Sequence, residues 1–345
     1  MQDPFVLGDE EITAGTRRTV DLPVSVLSDH TPVTLSAHVV HGRRPGPVMF
    51  VSAAIHGDEV IGVEIVRRLL RAAPLSRLTG TLVAVPIVNS FGFINRSRYL
   101  PDRRDLNRSF PGSPQGSLAS RLAHLFLTEI VTRCDLGIDL HSAAVGRTNL
   151  PQIRLTPGNP KLRDLGAAFA APVTLLSKTR EGSLRLMAEE AGVDLLLYEA
   201  GEGLRFDEHA ARAGVAGILR VMTRLGMIPG RGVPKARGVS VVCERSSWAR
   251  APSGGLLRTL KRRGDFVEAG QVLGLVSDPF GEREVEVVAE ATGILVGRSD
   301  LPVVNEGDAL FHIAEPVEPS TAEAAAERFD AELTAPPLFD EDEII

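Results

Sequence analysis

The stretch Val48-Met49-Phe50-Val51-Ser52-Ala53-Ala54-Ile55-His56-Gly57-Asp58-Glu59 decides the fold of this chain. Its first eight residues form a continuous apolar run, which is typical of a strand buried on both faces of a sheet. Residues 59–72 then place apolar side chains at helical spacing and predict an amphipathic helix. His56 and Glu59 therefore lie where a buried strand passes into a helix, and open α/β sheets bind their ligands at that end of a strand.

A second histidine, His141, follows another apolar run at residues 134–140. Together with His56 and Glu59 it offers two imidazoles and one carboxylate. This set leaves the fourth corner of a zinc tetrahedron open for water, which is the composition of a hydrolytic rather than a structural zinc site. We predict one zinc ion per chain on these three residues. Asp139, on the same side of the strand as His141, is expected to accept the second ring N–H of a ligating histidine.

Apolar runs alternate with helical periods from about residue 47 onward, which indicates an α/β fold with helices on both faces of a sheet. Alternating patterns at 16–41 predict strands before this region, and glycine-rich short strand patterns at 238–314 predict a small all-β domain after it. The predicted strands of the α/β region are 48–55, 81–88, 135–140, 173–176 and 193–198, and its predicted helices are 59–72, 117–133, 182–191 and 207–225.

These changes of pattern predict four segments. They are an N-terminal β extension at 1–44, a zinc hydrolase catalytic domain at 45–230, the small all-β domain at 231–315, and an acidic helix and tail at 316–345. The acidic segment has the composition of an exposed helix followed by a mobile tail.

Composition narrows the classes of partner. The net charge of −6 argues against nucleic acid and against an anionic membrane. Cys134 and Cys243 are the only cysteines, so neither a disulfide framework nor a cysteine zinc site is expected. Residues 1–4 lack the basic start of a signal peptide, and no apolar run is long enough to span a bilayer. We expect a cytoplasmic protein, and a homo-oligomer is compatible with this sequence.

Two further polar features flank the predicted zinc ligands. Glu199 ends the apolar run 193–198, where a glutamate can remove a proton from zinc-bound water and return it to a leaving amine. Spacing alone does not separate Glu199 from Glu202. The polar segment 89–116 has no helical or strand period, which is typical of an active-site loop. Its arginines suit a substrate carboxylate and the oxyanion of a tetrahedral intermediate.

Read together, these residues resemble the succinylglutamate desuccinylase/aspartoacylase family, a branch of the zinc carboxypeptidase-like hydrolases. The likeness covers residues 45–225, about half of the chain. It rests on His56-Gly57-Asp58-Glu59, Asn89, Arg98-Tyr99, Asp105-Leu106-Asn107-Arg108-Ser109-Phe110-Pro111-Gly112, Asp139-Leu140-His141 and Tyr198-Glu199-Ala200-Gly201. The overall form is most similar to bacterial deacylases, which include Nα-acetyl-diaminobutyrate deacetylases.

The resemblance implies a carboxypeptidase-like α/β/α fold with a mixed sheet. It also implies residue roles: zinc on His56, Glu59 and His141, general base and acid chemistry by Glu199, oxyanion polarisation by Arg98, and substrate carboxylate binding by Asn107 and Arg108. Farther along the chain, residues 264–274 resemble the barrel-sandwich hybrid of biotinyl and lipoyl domains. The stretch 284–293, where such a carrier keeps its lysine, has none. We therefore expect a scaffold that roofs the active site or joins subunits.

We predict zinc-dependent hydrolysis of the amide bond of a small N-acyl amino acid. The sequence leaves two alternatives open. One is a zinc carboxypeptidase or amidase that acts on peptides or cell-wall fragments, and the other is a metal-binding sensory or interaction module without activity. Specificity is expected to depend on the shape of loops at 96–116, 142–160 and 201–206.

Overall fold

A computed structural model describes residues 2–236, 238–318, 322–323 and 325–326. The tail predicted at 316–345 lies outside these residues except for its first three positions and the two short pairs. In the part of the chain that the structure describes, the strands are β1 (Phe5–Leu7), β2 (Glu10–Ile12), β3 (Arg17–Val26), β4 (Pro32–His41), β5 (Val48–Ala53), β6 (Thr81–Val85), β7 (Leu136–Ala143), β8 (Arg147–Leu155), β9 (Val173–Leu176), β10 (Asp194–Glu202), β11 (Val241–Arg250), β12 (Gly255–Thr259), β13 (Phe266–Val267), β14 (Val272–Ser277), β15 (Glu284–Val288), β16 (Gly293–Ser299), β17 (Val303–Val304) and β18 (Ala309–Pro316).

The α-helices of the same described residues are α1 (Ile61–Arg71), α2 (Ser90–Asn95), α3 (Leu118–Glu129), α4 (Pro160–Phe169), α5 (Leu184–Glu190) and α6 (Glu208–Arg224). Short 3₁₀ turns lie at Ala73–Arg77, Leu106–Arg108 and Val131–Arg133. Within the described ranges, no helix combines the length and the hydrophobicity that a membrane crossing requires.

One large mixed sheet organises the chain. Its strands follow the order β13-β16-β18-β11-β9-β8-β10-β7-β5-β6-β4-β3. The pairs β5–β6, β5–β7 and β7–β10 are parallel, whereas β8–β10 and β4–β6 are antiparallel. The carboxyl ends of β5, β7 and β10 consequently meet at one edge, where the sequence places the predicted site residues.

The sheet lies between two layers of helices. Along β5, Met49 and Val51 face a core that includes Ile65 of α1 and side chains of α4 and α6. Phe50 faces the opposite core, which includes Phe126 of α3 and side chains of α5. All five of these side chains are fully buried, and burial of one such side chain contributes roughly 1.5–3 kcal/mol. The mixed α/β architecture expected from the sequence is confirmed.

Polar side chains set the starts of most helices. In each of five helices, a side chain at the position before the first helical residue accepts a backbone N–H of the first turn. These residues are Asn89, Ser117, Asn159, Ser183 and Asp207. The predicted helices differ from the observed ones by a few residues at their ends, because caps and turns rather than hydrophobic periods decide those ends.

The segment 142–160, which the sequence predicts as a loop, is instead largely a strand. β8 occupies Arg147–Leu155, and α4 begins at Pro160. Pro151 and Gln152 weaken the strand pattern, but β8 pairs with both β10 and β9, and this tertiary pairing outweighs local propensity. A short helix, α2, also lies inside the polar segment 89–116.

The C-terminal β region, β11 to β18, is joined to the large sheet. β11 pairs with β9, and β16 pairs with both β18 and β8, so β8, β9, β11, β18 and β16 close into a ring. A separate four-stranded sheet of β15, β14, β12 and β17 contributes to another core beside β16 and β18. The domain boundaries and the barrel-sandwich likeness remain predictions.

Candidate active site

A tight turn after β5 positions the first two predicted ligands. Ala54 has a positive φ of 49°, and the Glu59 backbone N–H then donates to the His56 carbonyl over 3.1 Å. A Cβ atom on Gly57 would lie 1.9 Å from the carbonyl carbon of Gly92. Glycine is therefore required where the turn meets the backbone of α2, and this close approach brings the polar segment 89–116 against the predicted ligands.

His56, Glu59 and His141 come together as the metal cluster. His56 Nδ1 lies 2.7 Å from Glu59 Oε1, and His141 Nδ1 lies 2.8 Å from Glu59 Oε2. One nitrogen or oxygen atom from each residue lies within 4.8 Å of the others. All three side chains are buried. The structure thus brings together a set of donor atoms that could hold one metal ion.

Carboxylates hold the outer nitrogen of each imidazole. His141 Nε2 lies 2.7 Å from Asp139 Oδ2, and Asp139 Oδ1 accepts the Ser52 hydroxyl over 2.7 Å. His56 Nε2 lies 3.1 Å from Asp105 Oδ1. The sequence predicted such a partner in Asp139 but assigned no role to Asp105, whose only signal is its place at the start of the motif 105–112.

Charge at the cluster favours a cation. Burial lowers the pKa of His141, but Asp139 and Glu59 outweigh burial and raise this pKa well above its ordinary value. Burial also lowers the pKa of His56, but Glu59 and Asp105 outweigh burial and raise this pKa above its ordinary value. Burial raises the pKa of Glu59, yet the two histidines bring it far below its ordinary value. The site therefore stabilises positive charge at its centre, as protons or as a metal ion.

The donor chemistry fits a divalent metal ion. Both Nδ1 atoms face Glu59, while both Nε2 atoms are engaged by carboxylates. With its N–H on Nε2, each imidazole presents the Nδ1 lone pair to the centre of the cluster. Two nitrogen ligands and one carboxylate leave room for water and substrate, as catalytic metal sites do.

Glu199 lies beside the cluster on the neighbouring strand. In the parallel pair of β10 and β7, Glu199 is in register with His141. Asn149 of β8 donates from Nδ2 to Glu199 Oε2 over 2.8 Å, and Arg154 Nη1 lies 3.6 Å from Glu199 Oε1. We call Glu199, Asn149 and Arg154 the Glu199 corner. The sequence did not single out Asn149 or Arg154, because both belong to the strand that it predicted as a loop.

The other candidate acid, Glu202, has a different environment. It is in register with Ala143, beyond His141 along β7. Its Oε1 accepts the backbone N–H of Gly146 over 2.9 Å, and its Oε2 lies 3.2 Å from Arg205 Nε. Glu202 thus holds a neighbouring turn, whereas Glu199 is the glutamate beside the metal cluster.

Arg98 joins the polar segment to the metal cluster. Its Nη1 lies 3.4 Å from Glu59 Oε1, and its Nε and Nη2 donate to Asp105 Oδ2 over 3.2 and 2.9 Å. Asn107 is buried, and its Oδ1 accepts the backbone N–H of Leu184 over 2.9 Å. Arg108 is exposed and donates from Nη1 to the Asn107 carbonyl over 2.5 Å. The segment therefore presents one arginine to the cluster and another to solvent.

The family follows from a comparison with known proteins. A model of the succinylglutamate desuccinylase/aspartoacylase catalytic domain matches residues 45–225. The chain belongs to this family. Among its relatives, an N-alpha-acetyl-L-2,4-diaminobutyric acid deacetylase of Halomonas elongata is 30% identical over 288 residues, which are 80% of this chain and 84% of the relative.

Two solved structures share the fold of this chain. A succinylglutamate desuccinylase/aspartoacylase from Rhodobacter sphaeroides has a TM-score of 0.78 at 24% identity, covering 88% of this chain and 95% of that one. The product-bound ectoine utilization protein EutE (DoeB) from Ruegeria pomeroyi has a TM-score of 0.78 at 24% identity, covering 87% and 94%. The metal cluster, Arg98 and the Glu199 corner all lie within the 45–225 match, whereas the C-terminal β region lies beyond it.

Proposed function

We propose that this protein is a zinc-dependent hydrolase that cleaves the amide bond of a small N-acyl amino acid. The observation that carries the proposal is the placement of Glu199 in register with His141 of the metal cluster. Support comes from the family, whose members are named for desuccinylation and aspartate deacylation, and from the 30% identity to a diaminobutyrate deacetylase.

His56, Glu59 and His141 would hold the zinc ion. Their two nitrogen donors and one carboxylate suit zinc, and hydrogen bonds from both outer imidazole nitrogens to carboxylates strengthen such ligands. Zinc bound there would lower the pKa of a water molecule toward neutrality and polarise the acyl carbonyl of a substrate. Asp139 and Asp105 would hold the two rings in the orientation that ligation requires.

Glu199 is the proposed general base and acid. Its carboxylate accepts a hydrogen bond from Asn149 over 2.8 Å and has Arg154 Nη1 at 3.6 Å, and these contacts hold the carboxylate on the strand next to His141. In the proposed reaction, Glu199 takes a proton from the attacking water. It then gives this proton to the departing amine, which completes amide cleavage.

The polar segment supplies the proposed substrate contacts. Arg98 is held by two hydrogen bonds to Asp105, which leaves its Nη1 next to Glu59 of the metal cluster. A guanidinium fixed in this way would stabilise the oxygen of the acyl group as negative charge develops on it. Arg108, which is exposed, and Asn107 are proposed to bind the carboxylate of the substrate.

The test combines metal analysis with a substrate panel. We expect about one zinc per chain, and release of free amine from one class of Nα-acetyl or Nα-succinyl amino acids, including acetyl-aspartate and acetyl-diaminobutyrate. A chelator should stop this release, and added zinc should restore it. The protein could instead bind zinc, release no amine from any member of the panel, and cleave peptides or cell-wall fragments. That result would identify a peptidase or amidase in place of the proposed deacylase. A protein that binds no zinc would overturn it.

A further inference from the structure

We propose that Asn149 is a positioning residue for Glu199, and that Gly297 of the C-terminal β region fixes the place of the Asn149 side chain. This inference rests on the proposed function, in which Glu199 carries the proton. It assigns a positioning role to Asn149, which lies within the 45–225 family match, and a packing role to Gly297, which lies outside it.

The contact between Asn149 and Glu199 is the first observation. Asn149 donates to Glu199 Oε2 over 2.8 Å, and its side chain is only 7% exposed. The second oxygen, Oε1, has Arg154 at 3.6 Å, which is longer than a hydrogen bond. Of these two neighbours, Asn149 is the one that makes a direct hydrogen bond, and it therefore restricts the carboxylate to one orientation beside His141.

The second observation is the lack of space at Gly297. Gly297 of β16 is in register with Asn149 of β8. A Cβ atom at this glycine would lie 2.6 Å from Asn149 Oδ1, whereas the next nearest atom, His312 Cβ, is at an ordinary 3.5 Å. The short contact is with the end of a side chain and not with backbone. A methyl group at position 297 would therefore displace the Asn149 amide with little cost to the strand.

The topology explains why the distant segment matters. β16 pairs with β18 and β8, and β8 pairs with β10, which carries Glu199. A glycine 98 positions after Glu199 in the sequence thus sets the packing around its hydrogen-bond donor. The C-terminal β region completes the Glu199 corner through this one strand contact.

The experiment compares single variants with a matched control. We expect Asn149→Ala to lower kcat by about 10- to 100-fold with little change in KM, because a displaced base loses rate while substrate contacts remain. Gly297→Ala is expected to lower kcat by about 10-fold, with zinc content unchanged. Gly254→Ala is the control, since a Cβ there would lie 3.6 Å from its nearest atom, the Val304 carbonyl oxygen, and should leave kcat unchanged.

A double variant separates positioning from general damage. Once Asn149 is alanine, a methyl group at 297 has no side-chain oxygen to displace. The variant Asn149→Ala/Gly297→Ala should therefore have the kcat of Asn149→Ala alone, whereas independent defects would multiply. Multiplied losses, or a kcat within twofold of wild type for Asn149→Ala, would overturn the inference. If Asn149→Ala fails to fold, the isosteric Asn149→Asp, which cannot donate when ionised, takes its place with the same expected loss.

The same assays distinguish this inference from the proposed function. Wild-type turnover together with an inactive Glu199→Gln variant supports the function, and normal kcat in the Asn149 and Gly297 variants would then reject the inference alone. Wild-type protein with no turnover on N-acyl amino acids would reject the function itself.

Discussion

The metal cluster and the Glu199 corner are built from different parts of the topology. His56 and Glu59 follow the strand β5, His141 lies near the end of the parallel strand β7, and no more than 3% of each residue is exposed. The Glu199 corner joins β10 to the antiparallel strand β8, which is held in turn by β16 of the C-terminal β region. The metal cluster depends on the turn after β5 and on the parallel pairing of β5 with β7, whereas the Glu199 corner depends on strand pairings that reach the C-terminal β region.

This difference implies that metal binding and proton transfer can be lost separately. The carboxylates that hold the cluster, Asp139 and Asp105, make no hydrogen bond to Glu199 among the contacts of the described residues. Changes in the corner should therefore leave the metal in place, while changes in the cluster should remove both functions.

The largest effect is expected for His141→Ala. This change removes one of the three proposed metal ligands and takes away the imidazole that lies between the buried carboxylates of Asp139 and Glu59. We expect loss of stoichiometric zinc and a fall of turnover to background, measured by metal analysis and amine release. His124→Ala, outside the site, should keep both. Full zinc occupancy in His141→Ala would contradict the assigned cluster.

A smaller but still large effect is expected for Glu199→Gln. The amide keeps the shape of the side chain but cannot accept a proton, so kcat should fall by roughly 10²- to 10⁴-fold while zinc content stays at that of the wild type. Glu202→Gln is the matched control, because Glu202 lies in the same strand and binds the Gly146 backbone. Loss of zinc in Glu199→Gln would contradict the expectation that changes in the Glu199 corner leave metal binding intact.

The sequence predicted the parallel half of the fold and the three cluster residues well, and there is a physical reason. Buried parallel strands are continuous apolar runs, and ligands at their ends stand next to those runs. His56 and His141 each follow such a run, and the structure brings both to the two oxygens of Glu59.

The sequence also names Glu199 and Arg98, but it assigns no role to Asp105, Asn149 or Gly297, because these residues carry no local pattern. β8 contains Pro151 and alternates irregularly, so the sequence predicts a loop there and gives Asn149 no role. Asp105 reaches His56 from 49 positions away, through the fold of a polar segment without a period. Gly297 affects Asn149 only by register between distant strands. Such contacts follow from topology, which a hydrophobic pattern does not specify.

An intermediate effect is expected for the outer carboxylates. Asp139→Asn removes the charge that holds His141 Nε2, and we expect zinc affinity to fall by about 10- to 100-fold. Asp105→Asn should weaken zinc less, because the His56 contact is longer at 3.1 Å and Asp105 is more exposed. It should also lower kcat, since Asp105 holds Arg98. Competition with a chromogenic chelator measures the affinities, and equal affinities for both variants would contradict this ranking.

The smallest effect is a pH dependence of the stability that zinc adds. The folded-state pKa values of His56 and His141 are raised above the ordinary 6.5. In the metal-free protein, their protonation therefore stabilises the fold fully below about pH 6.5, and this stability is lost as the pH rises through the folded-state values. The lowered pKa of Glu59 acts in the other sense, since it stabilises the fold above about pH 4.5 and is lost only in strong acid.

Between pH 6 and 8 the two histidines therefore decide how much zinc stabilises the fold. Zinc needs the neutral imidazoles, so protons compete with it at the lower pH, while at the higher pH the metal-free fold has lost part of its own stabilisation. We expect the zinc-induced rise in Tm to grow from pH 6 to pH 8, with each tenfold gain in affinity adding about 1.4 kcal/mol. Paired melting curves with zinc and with a chelator measure it. In Asp139→Asn, where the pKa of His141 is less raised, the same rise should begin at lower pH. If the zinc-induced rise in Tm does not change with pH, protons and zinc do not compete for these histidines. That result would contradict their role as metal ligands.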